Sequence, residues 1–190
     1  KQGADKAPLL SPEGNSVKCP RGHSFDISAK GYLNLLLSQH KNVKDPGDSK
    51  EMVMARRQFL DTGAYEPLRK TLCELVLSEA PAEKARVLDA GCGEGYYTAG
   101  IYQSLLASGK APRMAGSDIS KFILRSAAKR EKAIEFAVAS SYHLPVQDGS
   151  IDLLINCFSP LALEEFRRVL KKDGIFLQVL AAQDHLMGLK

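Results

Sequence analysis

No apolar run in this chain approaches the roughly 20 residues that a membrane-spanning helix needs, which excludes a helical membrane protein. Cysteine is sparse and scattered. Cys19, Cys73, Cys92 and Cys157 show no paired spacing, which argues against a disulfide framework and for reduced thiols in a cytoplasmic protein. The opening residues, Lys1 to Lys6, lack the apolar core of a signal peptide. They also lack an initiator Met, so the natural chain is expected to start elsewhere. There is no strong excess of either charge: 26 Lys and Arg against 22 Asp and Glu give +4 and a pI near 8.8. That balance tolerates an anionic partner such as RNA without demanding one, because non-specific binding depends on clustered cations more than on net charge. No repeat or low-complexity tract is present. What remains is ordinary for a globular protein, 190 residues with 44% hydrophobic and 25% charged, which excludes disordered and collagen-like chains. The length permits one domain of about 150 residues and a small appendage.

Three textures divide the chain. Residues 1–48 are turn-rich, punctuated by Pro8, Pro12, Gly14, Pro20, Gly22, Gly31, Pro46 and Gly47. So short a module struggles to bury a core alone and normally wants a metal or a larger neighbour. Residues 49–83 form a helical linker. Asp48 followed by Glu51 predicts a capping-box-like start, Met52, Val53, Ala55, Phe59 and Leu60 form a helical stripe, and Gly63 is the expected stop. A second helix carries Leu68, Leu72, Leu75 and Val76. From residue 84 to 190, apolar runs at 85–88, 113–116, 134–138, 151–155 and 175–180 alternate with helical stretches at 97–108, 121–132 and 163–171. That alternation predicts an α/β domain with a parallel sheet covered on both faces.

The strongest chemical signal lies where the first of these strands hands over to a helix: Val87-Leu88-Asp89-Ala90-Gly91-Cys92-Gly93-Glu94-Gly95-Tyr96. Alternate glycines let the chain turn tightly and bring its backbone close to a ligand. A dinucleotide fingerprint would space its glycines Gly-x-Gly-x-x-Gly over a pyrophosphate. Here the spacing is Gly-x-Gly-x-Gly, with an acidic residue two positions earlier. This resembles motif I of the class I S-adenosylmethionine-dependent methyltransferases, a Rossmann-like fold. Asp118, where the second strand ends, could accept two hydrogen bonds from a ribose diol, or serve as the cap of the helix that follows. Ser140 and Ser141 stand where this class contacts adenine, usually with an Asp at the place of Ser140. Asp148 to Asn156 resembles the fourth-strand motif, and Glu164 to Gly174 the helix and turn before the fifth strand.

The front narrows the resemblance. Cys19-Pro20-Arg21-Gly22-His23, Gly31-Tyr32-Leu33-Asn34-Leu35-Leu36, Gln39-His40-Lys41, Asp45-Pro46-Gly47-Asp48-Ser49, Ala55-Arg56-Arg57-Gln58-Phe59-Leu60 and Gly63-Ala64-Tyr65-Glu66-Pro67-Leu68 follow one another. That succession, running from about residue 7 to the end, looks like the RlmA family of bacterial 23S rRNA (guanine-N1)-methyltransferases. The resemblance implies methyl transfer from S-adenosylmethionine to N1 of a guanine in 23S rRNA, and a homodimer. Class I methyltransferases acting on small molecules share the core motifs, and a non-catalytic RNA-binding protein with a degenerate cofactor fold is the other alternative. The intact glycine loop, Asp89 and Asp118 argue against degeneracy.

The implied cofactor contacts are Tyr65, closing from the linker, with Asp89, Gly91, Gly93, Glu94, Asp118, Ser140, Ser141, Asn156 and His185. Lys41, Lys44, Arg56 and Arg57 cluster near the module boundary and are candidates for phosphate contacts, as is usual for RNA-binding cations. No side chain is assigned as general base. The family's zinc-ribbon-like module uses Cys-x-x-Cys followed by Cys-x-x-x-His. Cys19 and His23 match the second half, but the stretch around Gly3 to Lys6 contains no cysteine. Structural zinc needs four ligands, so tight binding to this half-site is not expected, and Cys19 and His23 could simply pack beneath the turn. Class I sheets usually end in a hairpin beyond the fifth strand. The run Ile175 to Leu180 lies near the end, so the domain is expected to be incomplete, with the last two strands missing.

Overall fold

The computed structural model describes residues 11–20, 22–36, 47–79 and 83–182. In chain order it begins with three short strands, β1 (Ser11–Glu13), β2 (Ser16–Lys18) and β3 (Ser24–Asp26), which form an antiparallel meander. Then come β4 (Tyr32–Asn34), α1 (Lys50–Asp61), α2 (Glu66–Glu79), β5 (Arg86–Ala90), α3 (Tyr96–Ala107) and β6 (Arg113–Asp118). The chain continues with α4 (Lys121–Arg130), β7 (Glu135–Val138), β8 (Ile151–Cys157), α5 (Leu163–Val169) and β9 (Leu170–Val179). The five strands and three helices expected after residue 84 are all present.

A six-stranded sheet runs β4-β7-β6-β5-β8-β9, and every neighbouring pair is parallel. Period-two alternation explains its covering on both faces. Val87, Leu153 and Ile155 turn into one apolar cluster with Ile101, Leu105, Ile123, Leu124 and Phe136. Leu88, Ala90 and Leu154 turn into the other, with Phe166 and Val169. The chain winds from β5 outward to β7, then returns to β8 on the other side of β5. The crevice between the two windings, at the carboxyl ends of the strands, is where such sheets hold ligands.

The structure revises three expectations. Residues 32–34 were placed in the front module, yet β4 pairs with β7 (Tyr32 opposite Phe136) and forms an edge of the large sheet. Tyr32 is buried in the main core. The cap of α1 is Ser49, not Asp48: its hydroxyl accepts the Met52 N–H at 3.3 Å. Asp48 instead pairs with Arg56. Third, the expected turn at Asp173-Gly174 lies inside β9 as a bulge, with Leu170 opposite Ile151 and Ile175 opposite Leu153. Gly63, with φ +80°, stands just beyond the Thr62 cap of α1 as anticipated. Among the described residues no strand pairs with the outer edge of β9.

Candidate active site

A cavity of about 810 Å³ opens at the carboxyl ends of β5, β6 and β8. The glycine loop forms its floor. Gly91, Gly93 and Gly95 all have positive φ, as a turn of this tightness requires. The Gly91 and Cys92 N–H groups both donate to the Ser117 carbonyl, at 2.8 and 2.9 Å, which fastens the loop to the end of β6. Gly91 has a second reason to lack a side chain, since a Cβ there would come within 1.9 Å of the Ser159 hydroxyl.

Besides Asp48, which is paired with Arg56, three carboxylates line the cavity. Asp89 is 1% exposed; one oxygen accepts the Thr98 hydroxyl at 2.6 Å, and the other has no partner. Burial pushes its carboxyl up to about 7 against the pull of that hydrogen bond, and the nearby Asp118 charge adds to the rise. Asp118 accepts the N–H of Gly93 at 3.1 Å on one oxygen and that of Ser120 at 2.9 Å on the other. The cap residue of α4 is Ser120, so Asp118 forms a turn onto the cap rather than capping the helix itself, and each of its oxygens keeps a lone pair for a ligand. Burial raises its carboxyl too, partly offset by those two hydrogen bonds. Glu94 is 2% exposed; one oxygen binds Arg130 and the other has no hydrogen bond, with Arg57 at 3.9 Å. Arg130 in turn lies over the Tyr96 ring, 5.7 Å from its centroid, with Arg69 also at 5.7 Å.

Of the residues expected to bind a cofactor, Tyr65, Asp89, Gly91, Gly93, Glu94, Asp118, Ser140 and Ser141 all line this one cavity. Asn156 does not. It is fully buried, and its amide donates to the Ala90 carbonyl at 2.8 Å and the Pro160 carbonyl at 3.5 Å. His185, Lys41 and Lys44 lie outside the described residues. Arg56 lines the cavity while holding Asp48, and Arg57 reaches toward Glu94, so the two cations expected to contact RNA phosphates are turned partly toward acidic residues of this chain. Sequence reasoning passed over Phe59 and the Phe158-Ser159-Pro160 turn as part of the site. Phe158 packs edge-on to Tyr65 at 6.0 Å, and Tyr65 to Phe59 at 5.7 Å, giving the cavity an aromatic rim. The signal was an aromatic directly after a strand, which is indistinguishable from a core residue without the neighbours.

The donor set fits S-adenosylmethionine. Buried carboxylate oxygens without partners suit the hydroxyls, ammonium and sulfonium of a cationic nucleoside, whereas Asp89, Glu94 and Asp118 together would repel a pyrophosphate. The zinc half-site fares differently. Cys19 and His23 share a hydrogen bond at 3.3 Å beneath the turn that follows β2, and among the described residues no third His, Cys, Asp or Glu joins them. Two donors do not make a tetrahedral site.

Comparison with known proteins agrees with this geometry. A family model described as a methyltransferase domain matches residues 81–187, and one described as the RlmA N-terminal region matches residues 5–44. The 23S rRNA (guanine(748)-N1)-methyltransferase of Streptomyces fradiae is 35% identical over 96% of this chain and 63% of its own length. A protein of Micromonospora griseorubida, provisionally named a 23S rRNA (guanine-N1)-methyltransferase, is 35% identical over 98% of this chain and 64% of its own. The chain thus spans less than two thirds of the length of these relatives. A solved structure from Methanococcus maripaludis, provisionally named an S-adenosyl-L-methionine-dependent methyltransferase, superposes with a TM-score of 0.57 at 18% identity, covering 72% of this chain and 67% of that one. With more than half of its residues matched by the domain model and the sheet, glycine loop and cavity in agreement, the chain belongs to the class I methyltransferase-domain family, with a front of the RlmA type.

Proposed function

We propose that this chain transfers a methyl group from S-adenosylmethionine to N1 of a guanine in 23S rRNA. The observation that carries the reading is identity of 35% to guanine-N1 methyltransferases across both the front and the cofactor domain, not the shared core alone. The cofactor, when bound, would supply a methyl group on an activated sulfonium that leaves as the neutral thioether, and guanine N1 must give up its proton to an acceptor for which no side chain is assigned, so the contribution of the residues named here is orientation and exclusion of water.

The chain's residues divide that work. Asp89, Glu94 and Asp118 accept hydrogen bonds in the interior, the glycine loop lets backbone approach closely, and Tyr65, Phe59 and Phe158 form an apolar rim that keeps water from the reaction line. The guanine enters as an unstacked base, as enzymes acting on nucleobases require. Arg56 and Arg57, with Lys41 and Lys44, are proposed to contact phosphates. The family likeness also carries the proposal of a homodimer and of a cytoplasmic setting, and among the described residues no helix is long and apolar enough to cross a membrane. Incubation with labelled cofactor and unmodified 23S rRNA tests the reading: label on one guanine N1 is expected, and no label on RNA overturns it.

A further inference from the structure

Phe158 is the one non-glycine among the described residues with positive φ, at +50°. A bulky side chain in that region is strained, and such strain persists only where the surroundings over-determine it. Here they do. The Phe158 N–H donates to the Val179 carbonyl at 3.0 Å, tying the turn to β9. Asn156, wholly buried, donates to the Ala90 carbonyl at the end of β5 and to the Pro160 carbonyl, bridging the turn to the neighbouring strand. Ser159 fills the space that the missing Gly91 side chain leaves, so the turn is wedged against the glycine loop.

All this holds a ring that is not buried. Phe158 is 46% exposed at the cavity mouth, at the carboxyl end of β8, and is braced edge-on by Tyr65 at an interplanar angle of 87°. Core packing therefore does not account for the strain. The cavity is also divided: Asp89, Glu94 and Asp118 are its inward carboxylates and Phe59 and Phe158 its exposed aromatics, while the charges of Asp48 and Arg56 are paired with each other. A cationic cofactor belongs in the first region, and a flat neutral ring in the second.

We propose that Phe158 is the surface on which the target guanine stacks, with Asn156 and Ser159 as positioning residues that hold it there. This rests on the rRNA reading given above. Stacking on an aromatic face tolerates any base and orients its plane, so the edge that bears N1 can be turned toward the methyl group.

The test compares Phe158→Ala, Phe158→Gly and Phe158→Trp in the same protein, reading cofactor affinity by calorimetry, methyl transfer to unmodified 23S rRNA, and thermal unfolding. Loss of a base stack should lower kcat/KM for rRNA about 10- to 100-fold in the Ala and Gly variants. Cofactor Kd should stay within about twofold, because the ring contacts the base and not the cofactor. Trp should recover part of the Ala loss. The Gly variant accepts φ +50° without strain and lacks the same ring contacts as the Ala variant, so its Tm should equal or exceed that of the Ala variant. Transfer at the parental rate in the Gly variant, a parallel loss of cofactor affinity, or a Tm below that of the Ala variant would each overturn the assignment. If the parent itself puts no methyl on rRNA, the rRNA reading fails and the stacking role with it. If the parent transfers and the Gly variant matches it, the stacking role alone fails.

Discussion

Single residues carry the sharpest consequences of this arrangement. The Asp89 carboxyl sits near 7 in the fold against an ordinary value of 3.8. Between those values the folded protein keeps a proton that the unfolded chain has released, so stability from this group is greatest below about pH 4 and is lost as pH rises to 7. Replacing it by Asn removes the dependence. The parent-minus-Asp89→Asn difference in unfolding free energy should therefore fall by about 2–4 kcal/mol between pH 4 and pH 8 in denaturant titrations, and a flat difference would contradict the assignment. Gly91→Ala meets both a positive φ of +86° and the Ser159 hydroxyl. It should cost about 2–4 kcal/mol by the same measurement, partly regained by Ser159→Gly. The need for these glycines was legible because it arises within a few residues of chain. The task of Asn156 was not. Its partners Ala90 and Pro160 are brought together only by the pairing of β8 with β5, so an amide in a strand motif read equally well as a ligand contact.

At the scale of elements, the helices were legible to within a few residues because their stops and starts are local: Asp48, one position before the observed cap Ser49, and Gly63 bracket α1. What joins them was hidden. Glu94, in the loop before α3, is held by Arg130 of α4 and approached by Arg57 of α1, so one buried carboxylate ties three elements around the cavity. Removing Arg130 leaves that charge buried with a partner only at 3.9 Å, and Arg130→Ala should destabilise the fold by about 2–4 kcal/mol. Adding Glu94→Gln should recover much of the loss, because the stranded charge is then gone; a double variant no more stable than the single one would refute this. Arg56 and Arg57 carry a related lesson. As bare sequence they read as a cationic RNA-facing pair, yet Asp48 and Glu94 partly balance them, so their replacement should change the cavity as well as RNA affinity.

Across the whole molecule, the division into a front module, a linker and a cofactor domain is crossed by β4. Three residues of the front complete the edge of the large sheet beside β7, and Tyr32 enters its core. No local pattern marks a three-residue strand whose partner lies about a hundred positions away, whereas the alternation of strand and helix after residue 84 does mark the rest. Tyr32→Ala should cost about 2–4 kcal/mol and lower amide-exchange protection in β7, far along the chain. Protection loss confined to the meander would show the front to be independent. The front is thus fixed to the edge of the same sheet that carries the cavity at its switch point. The proposed role of this cavity is to methylate a guanine presented by RNA. Incubation with labelled S-adenosylmethionine and unmodified 23S rRNA, followed by mapping of the product, decides it. Label is expected on N1 of a single guanine and should vanish when that base is replaced; label on a small molecule but never on RNA would refute the role.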